Sequence, residues 1–389
     1  MATTVELQVP FHRACIGEEE VQAVSEVIRS GWLTMGPKTL EFELAFARYI
    51  GVEHAIAVSS CTAALHLALE AAGVQAGDEV LVPTTTFTAT AEVVTYLGAK
   101  PVFVEVEQKT LNLDIEDAAR RVTPRTRAII PVHFAGQPCD LAKIQEIADV
   151  HGLHVIEDAA HSLPARYRGA NIGTLSELTA FSFYATKTLT TGEGGMITTN
   201  DAHHAERIRI MRLHGIGRDA WKRYTAAGSW YYEVLAAGFK YNLTDIQSAL
   251  GLVQLMKCDA MREQRTLIAA QYTAAFRQIA ALEPPTVLND RESSWHLYVL
   301  RMNTEYLRID RDGLIEELKK RGIGTSVHFI PLHLHPYYAS TFGYSRGGFP
   351  VAEREYERCL SLPIYPGMSQ DDVNRVIEAV SEICEEHLA

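Results

Sequence analysis

Lys187 closes the run Phe181-Ser182-Phe183-Tyr184-Ala185-Thr186-Lys187, just ahead of Thr191-Gly192-Glu193-Gly194-Gly195, and downstream of a carboxylate pair in Val155-Ile156-Glu157-Asp158. A lysine amine forms an imine with an aldehyde. An acid held against a pyridine nitrogen keeps that ring protonated, so that it can take up electrons. Pyridoxal phosphate requires both groups of its protein. Either residue alone says little, since a lone lysine before a glycine turn is ordinarily solvated and an Asp after a strand is often a helix N-cap. The ensemble around them therefore decides.

Ser59-Ser60-Cys61-Thr62-Ala63-Ala64 follows an apolar run and opens a helical pattern. Small and hydroxyl side chains there let backbone N–H groups and the positive helix end approach a phosphate, although a plain Ser/Thr cap reads the same way. Ser182 is a second hydroxyl for that phosphate, or a satisfied core group. Phe87, in Pro83-Thr84-Thr85-Thr86-Phe87, lies just past a strand end. It reads as core on its own, and as a flat cover for a pyridine ring in this company. Asp158 ends an apolar strand, where an uncompensated carboxylate is costly to bury and a protonated ring nitrogen would offset the cost. His161 orders that acid by hydrogen bonding or is simply packed, and His133 is a weaker candidate still.

The elements that must hold these groups recur from about residue 54. His54–Val58, Glu79–Val82, Pro101–Val104, Ala128–Val132, Leu153–Ile156, Ala180–Phe183 and Gly195–Thr199 read as seven strands with helical segments between most of them. That pattern predicts an α/β fold with a largely parallel sheet covered on both faces, its polar strand ends facing one crevice. After about residue 240 the texture becomes α+β. Asp245–Met261 is helical, and 295–301 and 325–330 read as strands of a smaller sheet. Ser369-Gln370-Asp371-Asp372 caps a helix with Val373, Val376, Ile377, Val380 and Ile383 on one face. With 389 residues the chain is long for one core. A large domain over 13–245 and a small one over 246–389 are expected, with residues 1–12 packing beside the latter.

A composition 47% hydrophobic and 22% charged is that of a soluble enzyme, and a formal charge of -12 argues against nucleic acid or anionic membrane as partner. The amino terminus carries no signal-peptide pattern, and no apolar stretch is long enough to span a bilayer. Six cysteines scattered without a CxxC pair carry no metal signature, and a reduced cytoplasmic protein without a metal is the simplest expectation.

The Lys187 context resembles the DegT/DnrJ family of nucleotide-sugar aminotransferases. So do Glu157-Asp158-Ala159-Ala160-His161, Ser30-Gly31-Trp32-Leu33-Thr34-Met35-Gly36-Pro37, Gly238–Gln247 and His328-Phe329-Ile330-Pro331-Leu332-His333. The resemblance covers essentially the whole chain. It implies a fold-type-I pyridoxal 5'-phosphate enzyme, and within the family the branch that aminates C4 of UDP-4-keto sugars, such as the enzyme forming UDP-4-amino-4-deoxy-L-arabinose. Lys187 would then carry the cofactor and Asp158 would face its ring nitrogen. Phe87 would stack on the ring, and Cys61, Thr62, Ala63 and Ser182 would cradle the phosphate. His161 would back Asp158. Asn242 would reach the phosphate of the neighbouring subunit, making a homodimer with shared sites. Thr34, His328 and His333 would lie near the sugar nucleotide. L-glutamate and 2-oxoglutarate would be amino donor and its product, in polysaccharide, lipid A or glycan biosynthesis. A family branch with histidine at the lysine position dehydrates C3, and Lys187 sets this chain apart from it. A C3-keto sugar or cyclitol ketone as acceptor, or a non-catalytic regulatory role, stay open at this level.

Overall fold

The computed structural model describes residues 8–217 and 231–389. All seven expected strands form, as β1 (His54–Val58), β2 (Glu79–Pro83), β3 (Lys100–Val104), β4 (Thr126–Ile129), β5 (His154–Asp158), β6 (Leu178–Ser182) and β7 (Gly195–Thr199). They make one sheet in the order β1-β7-β6-β5-β4-β2-β3. Only β7 runs against the rest, pairing antiparallel with both β1 and β6. Successive side chains along a strand point to opposite faces, and here both faces are covered. Ile56 and Val58 pack into a cluster with Leu65, Leu67 and Phe103, whereas Ala55 and Ala57 pack into another with Phe42, Phe46 and Phe181. Burial on both sides is why these strands read as apolar runs without alternation. The carboxyl ends of β1, β2, β5 and β6 and the amino end of the reversed β7 come to one edge of the sheet.

Thr244 and Gln247 form a reciprocal cap on a helix running from Asp245 to Phe276, well past the expected Met261. Its far half packs with Val9, Tyr298, Leu314 and the helix Gln370–Glu386 in a third apolar cluster. That last helix opens on the anticipated Ser369–Asp372 capping box and buries Val373, Val376, Val380 and Ile383; Ile377 is only partly covered. The smaller sheet differs from expectation. Its three antiparallel strands are Leu282–Glu283, Tyr298–Met302 and Cys359–Leu362. Residues 325–330 are not a strand and touch the sheet through one bridge, Ser326 to Ser361. The segment is drawn off the ladder because the Leu332 amide donates to the Thr84 carbonyl at 2.7 Å, which carries His328 and Phe329 to the edge of the large sheet. Among the described residues no helix is long and apolar enough to cross a membrane.

Candidate active site

A cavity of about 480 Å³ opens where the strand ends meet. That volume lies within the range of sites for small organic ligands. Asp158 is the last residue of β5 and lines it, as do Ser182 at the end of β6 and Cys61 and Thr62 at the start of the helix Cys61–Ala71. Ser60 caps that helix through its Oγ, which accepts from the Ala63 amide at 3.0 Å, an interaction worth about 1 kcal/mol. One sequence-level expectation is corrected by this bond. The Ala63 N–H is engaged by the cap and Ala63 does not line the cavity, so the first-turn amides of Cys61 and Thr62 are the ones with no acceptor inside the helix. Gly195 lets β7 pass this turn, because a Cβ there would lie 2.6 Å from the Ser60 carbonyl carbon and oxygen.

Lys187 sits on the loop between β6 and β7, its amide bonded to the Tyr184 carbonyl at 2.9 Å, and its side chain is mostly covered and reaches the cavity. Burial lowers its pKa to about 8, with Arg265 adding to the effect and Cys61 and Asp158 opposing it. At pH 7 such a group is free amine in about a tenth of molecules, against fewer than about one in a thousand for an ordinary lysine. Asp158 is buried, and burial raises its pKa. The Thr90 hydroxyl, donating to Oδ2 at 2.8 Å, and the Ala160 amide, donating to Oδ1 at 3.1 Å, pull the other way. Those two partners take the place expected of His161, which makes no hydrogen bond with Asp158. The His161 ring instead lies on Phe329, centroids 6.0 Å apart and planes at 24°, and on His296 at 4.4 Å. It lines the cavity with Nδ1 unpartnered, and burial holds its pKa well below the usual histidine range.

Phe87 stands at the same cavity, 57% exposed, and meets the Phe329 ring edge at 6.0 Å. A core phenylalanine would be covered, so its exposure favours the ring-stacking reading. His328 also lines the cavity, stacks on Phe11 and bonds Ser361 Oγ through Nδ1 at 2.8 Å. Burial lowers its pKa to about 4. His333 does not join it. Its ring is fully buried, with Nδ1 on Thr84 Oγ1 at 2.7 Å and Nε2 on Glu353 Oε1 at 3.0 Å, so the ring ties the end of β2 to the helix Pro350–Arg358 and neither nitrogen is left for a ligand. Thr34 is exposed on a loop away from the cavity, where its carbonyl accepts from the Asp245 amide at 3.2 Å. Asn242 is also outside the cavity lining, its Oδ1 taken by Lys240 Nζ and its Nδ2 donating to the Leu243 carbonyl at 3.2 Å. His133 is a fully buried structural residue: Nδ1 accepts from the Cys139 amide at 3.0 Å, which leaves Nε2 as the donor to Glu157 at 2.7 Å.

Pyridoxal phosphate fits this donor set. A depressed lysine amine, a buried carboxylate short of a cationic partner, unpaired first-turn amides and an exposed aromatic converge on one space. Sequence reasoning singles out neither His296 nor Thr90. His296 falls within the strand expected over 295–301, and Thr90 carries no local signal, whereas Ser60 belongs to the segment that reads as a cap or a phosphate turn.

Comparison with known proteins agrees with the geometry. A model of the DegT/DnrJ/EryC1/StrS aminotransferase family matches residues 14–381. A Methanocaldococcus jannaschii protein of uncharacterized function is 53% identical over 379 residues, 97% of this chain and 98% of that one. The spore coat polysaccharide biosynthesis protein SpsC of Bacillus subtilis is 50% identical over 376 residues, 96% and 97% of the two chains. A Streptococcus pneumoniae protein solved in its PLP form superposes with a TM-score of 0.90 at 32% identity, covering 97% of this chain and 99% of that one.

Proposed function

This chain belongs to the DegT/DnrJ/EryC1/StrS aminotransferase family and uses pyridoxal phosphate, and from that premise we propose that it moves an amino group from L-glutamate to C4 of a nucleotide-linked 4-keto sugar, with UDP as the expected nucleotide. The observation that carries the reading is the meeting of Lys187 and Asp158 in one cavity. When bound, the cofactor supplies an aldehyde that captures amines and a protonated ring that draws off electrons. Lys187 anchors it and, once displaced, holds a free amine at Nζ that takes a proton from the donor carbon and later returns one to the sugar carbon. Asp158 keeps a proton on the ring nitrogen, and its raised pKa is compensated once that cation faces it. Cys61 and Thr62 amides with Ser182 Oγ receive the phosphate, and Phe87 covers the ring. His328, beside Phe329 at the cavity wall, lies on the acceptor side. SpsC takes part in making a spore coat polysaccharide, and an amino sugar for a cell-surface glycan is the product class that fits the same chemistry here.

The test has two stages. Addition of L-glutamate to the yellow holoenzyme should replace the absorbance of the lysine-bound cofactor with that of its amine form; no change would remove transamination altogether. The amine form should then be discharged by a UDP- or dTDP-linked 4-keto sugar, giving a product of the aminosugar mass. Discharge only by C3-keto sugars or cyclitol ketones would overturn the C4 assignment while leaving the family chemistry intact.

A further inference from the structure

His296 lies within hydrogen-bond reach of the lysine, with Nε2 3.3 Å from Lys187 Nζ. The backbone that delivers it is held with unusual care. Trp295, the residue before it, sits at φ +51°, a left-handed conformation that a bulky residue adopts only when its surroundings impose it. Those surroundings are identifiable. The Ser294 amide donates to the Gly136 carbonyl at 3.1 Å, and the Leu297 amide to the Ala135 carbonyl at 3.2 Å. Ser294 Oγ bonds the His161 carbonyl. Arg265, from the long helix, is almost wholly buried, and its Nη1 donates to the carbonyls of Trp295, His296 and Ile364 at 3.2, 3.3 and 2.7 Å. No carboxylate partners it among the described contacts, and its Nε and Nη2 have no partner. A buried cation without an anion is costly, so its placement behind this turn demands a return. What it holds in place is the imidazole facing Lys187.

We infer that His296 is a positioning residue for the lysine: its neutral imidazole accepts a hydrogen bond from Nζ whenever the lysine is released, and Arg265 and the Trp295 turn keep it there. This deepens the transamination reading and rests on it. A released lysine side chain has several rotatable bonds, and proton transfer needs its nitrogen over the substrate carbon rather than anywhere in the cavity. A fixed acceptor restricts that motion. The acceptor must stay uncharged, and burial together with the positive groups Lys187 and Arg265 and the neighbouring His161 keeps the His296 pKa well below the usual histidine range. Its Nδ1 is buried without a partner, as is that of His161 against which it packs.

The experiment compares His296→Gln, which keeps an acceptor, with His296→Phe, which keeps a flat ring and loses it. Glutamate half-reaction rates should fall at least about a hundredfold in the Phe variant and at most about tenfold in the Gln variant, with the apparent KM for glutamate within about threefold of wild type in both. A readout that needs no turnover accompanies this. In cofactor-free protein, the pH at which Lys187 becomes reactive toward an acylating reagent should move down in the Phe variant, because an acceptor that favours the ammonium has gone, and should stay near wild type in the Gln variant. The groups around Nζ that remain are Cys61 at the helix start, Asp158 and His161 at and just past the end of β5, and Arg265, His328 and His12 from elsewhere in the chain. Equal losses in both variants, or a Phe variant faster than the Gln variant with an unshifted lysine profile, would overturn the inference and leave His296 a packing residue. Failure of the wild-type protein to transaminate at all would instead strike the functional reading, and the labelling profile would still report on the hydrogen bond.

Discussion

At the residue scale the proposed chemistry rests on two groups whose pKa values burial shifts in opposite directions. Burial leaves more of Lys187 as the unprotonated amine that can attack a carbonyl or take up a proton near neutral pH, and makes Asp158 reluctant to ionise until a cation faces it. The two are separable by substitution. Lys187→Ala should abolish turnover while the folded protein still takes up the amine form of the cofactor, whereas Asp158→Asn should leave the lysine-bound absorbance band and lower the half-reaction rate by orders of magnitude. Near-native turnover in either variant would remove that residue from its role. The lowered lysine pKa has a pH signature of its own. In cofactor-free protein, labelling of Lys187 should climb through about pH 8 and level off above it, because only the deprotonated amine reacts. A midpoint near the ordinary lysine value of about 10.4 would show that the pocket does not desolvate it.

At the element scale, the turn that begins the helix Cys61–Ala71 depends on a neighbour from the far side of the loop carrying Lys187. Gly195→Ala would drive a methyl group into the Ser60 carbonyl, where no side chain can move aside. The strand must shift or the cap must open, so cofactor affinity should fall at least about tenfold in a fluorescence titration, with the native circular dichroism spectrum retained. Unchanged affinity would mean that this turn does not receive the phosphate. The opposite edge of the sheet carries a pH-dependent clasp. Glu177, just before β6, accepts from His154 of β5 at 2.8 Å and from His204 of the following helix at 2.6 Å. The hydrogen bond to Glu177 raises the His154 pKa, and the same bond is the largest cause of the lowered Glu177 pKa. A raised histidine contributes stability that is complete below its unfolded value and lost as pH rises through the folded one. Thermal midpoints should therefore decline as pH rises above the ordinary histidine value of about 6.5, and decline less in Glu177→Gln. Parallel profiles for the two proteins would rule out the clasp as the source.

At the scale of the whole molecule, the cavity is lined by chain segments far apart in sequence, from Ser60 to Phe329. Within one chain Asn242 and Thr34 stay outside it, and we propose that Asn242 serves the site of a neighbouring subunit. Mixed dimers test this directly. A Lys187→Ala chain and an Asn242→Asp chain, each inactive alone, should regain activity when combined. One of the two sites then carries both native residues, while an aspartate set against a phosphate dianion is repelled. Subunit exchange confirmed by mass without any return of activity would place Asn242 in its own subunit or outside the site.

The sequence alone determined the parts of this protein that local chemistry specifies. Seven apolar runs closed by polar residues marked the strands, because a strand buried on both faces has no alternation to hide it. Lys187 and Asp158 stood out as a pair, because an imine-forming amine and a carboxylate that is costly to bury at a strand end are together what the cofactor requires, although neither says much alone. Their family context carried the cofactor. Tertiary structure decided whatever depends on groups far apart in the chain. His296 reaches Lys187 because a turn at Trp295 is pinned by Gly136, His161 and Arg265, none of them near it in sequence. His333 loses both ring nitrogens to Thr84 and Glu353, although the motif around it reads as a ligand contact. Part of the segment expected as a strand at 325–330 lies at the cavity instead, with Leu332 just past it bonded to Thr84 at the end of β2. Motifs specify which side chains are present, but hydrogen-bond partners are allotted by three-dimensional proximity, and that allotment leaves some of them free for chemistry.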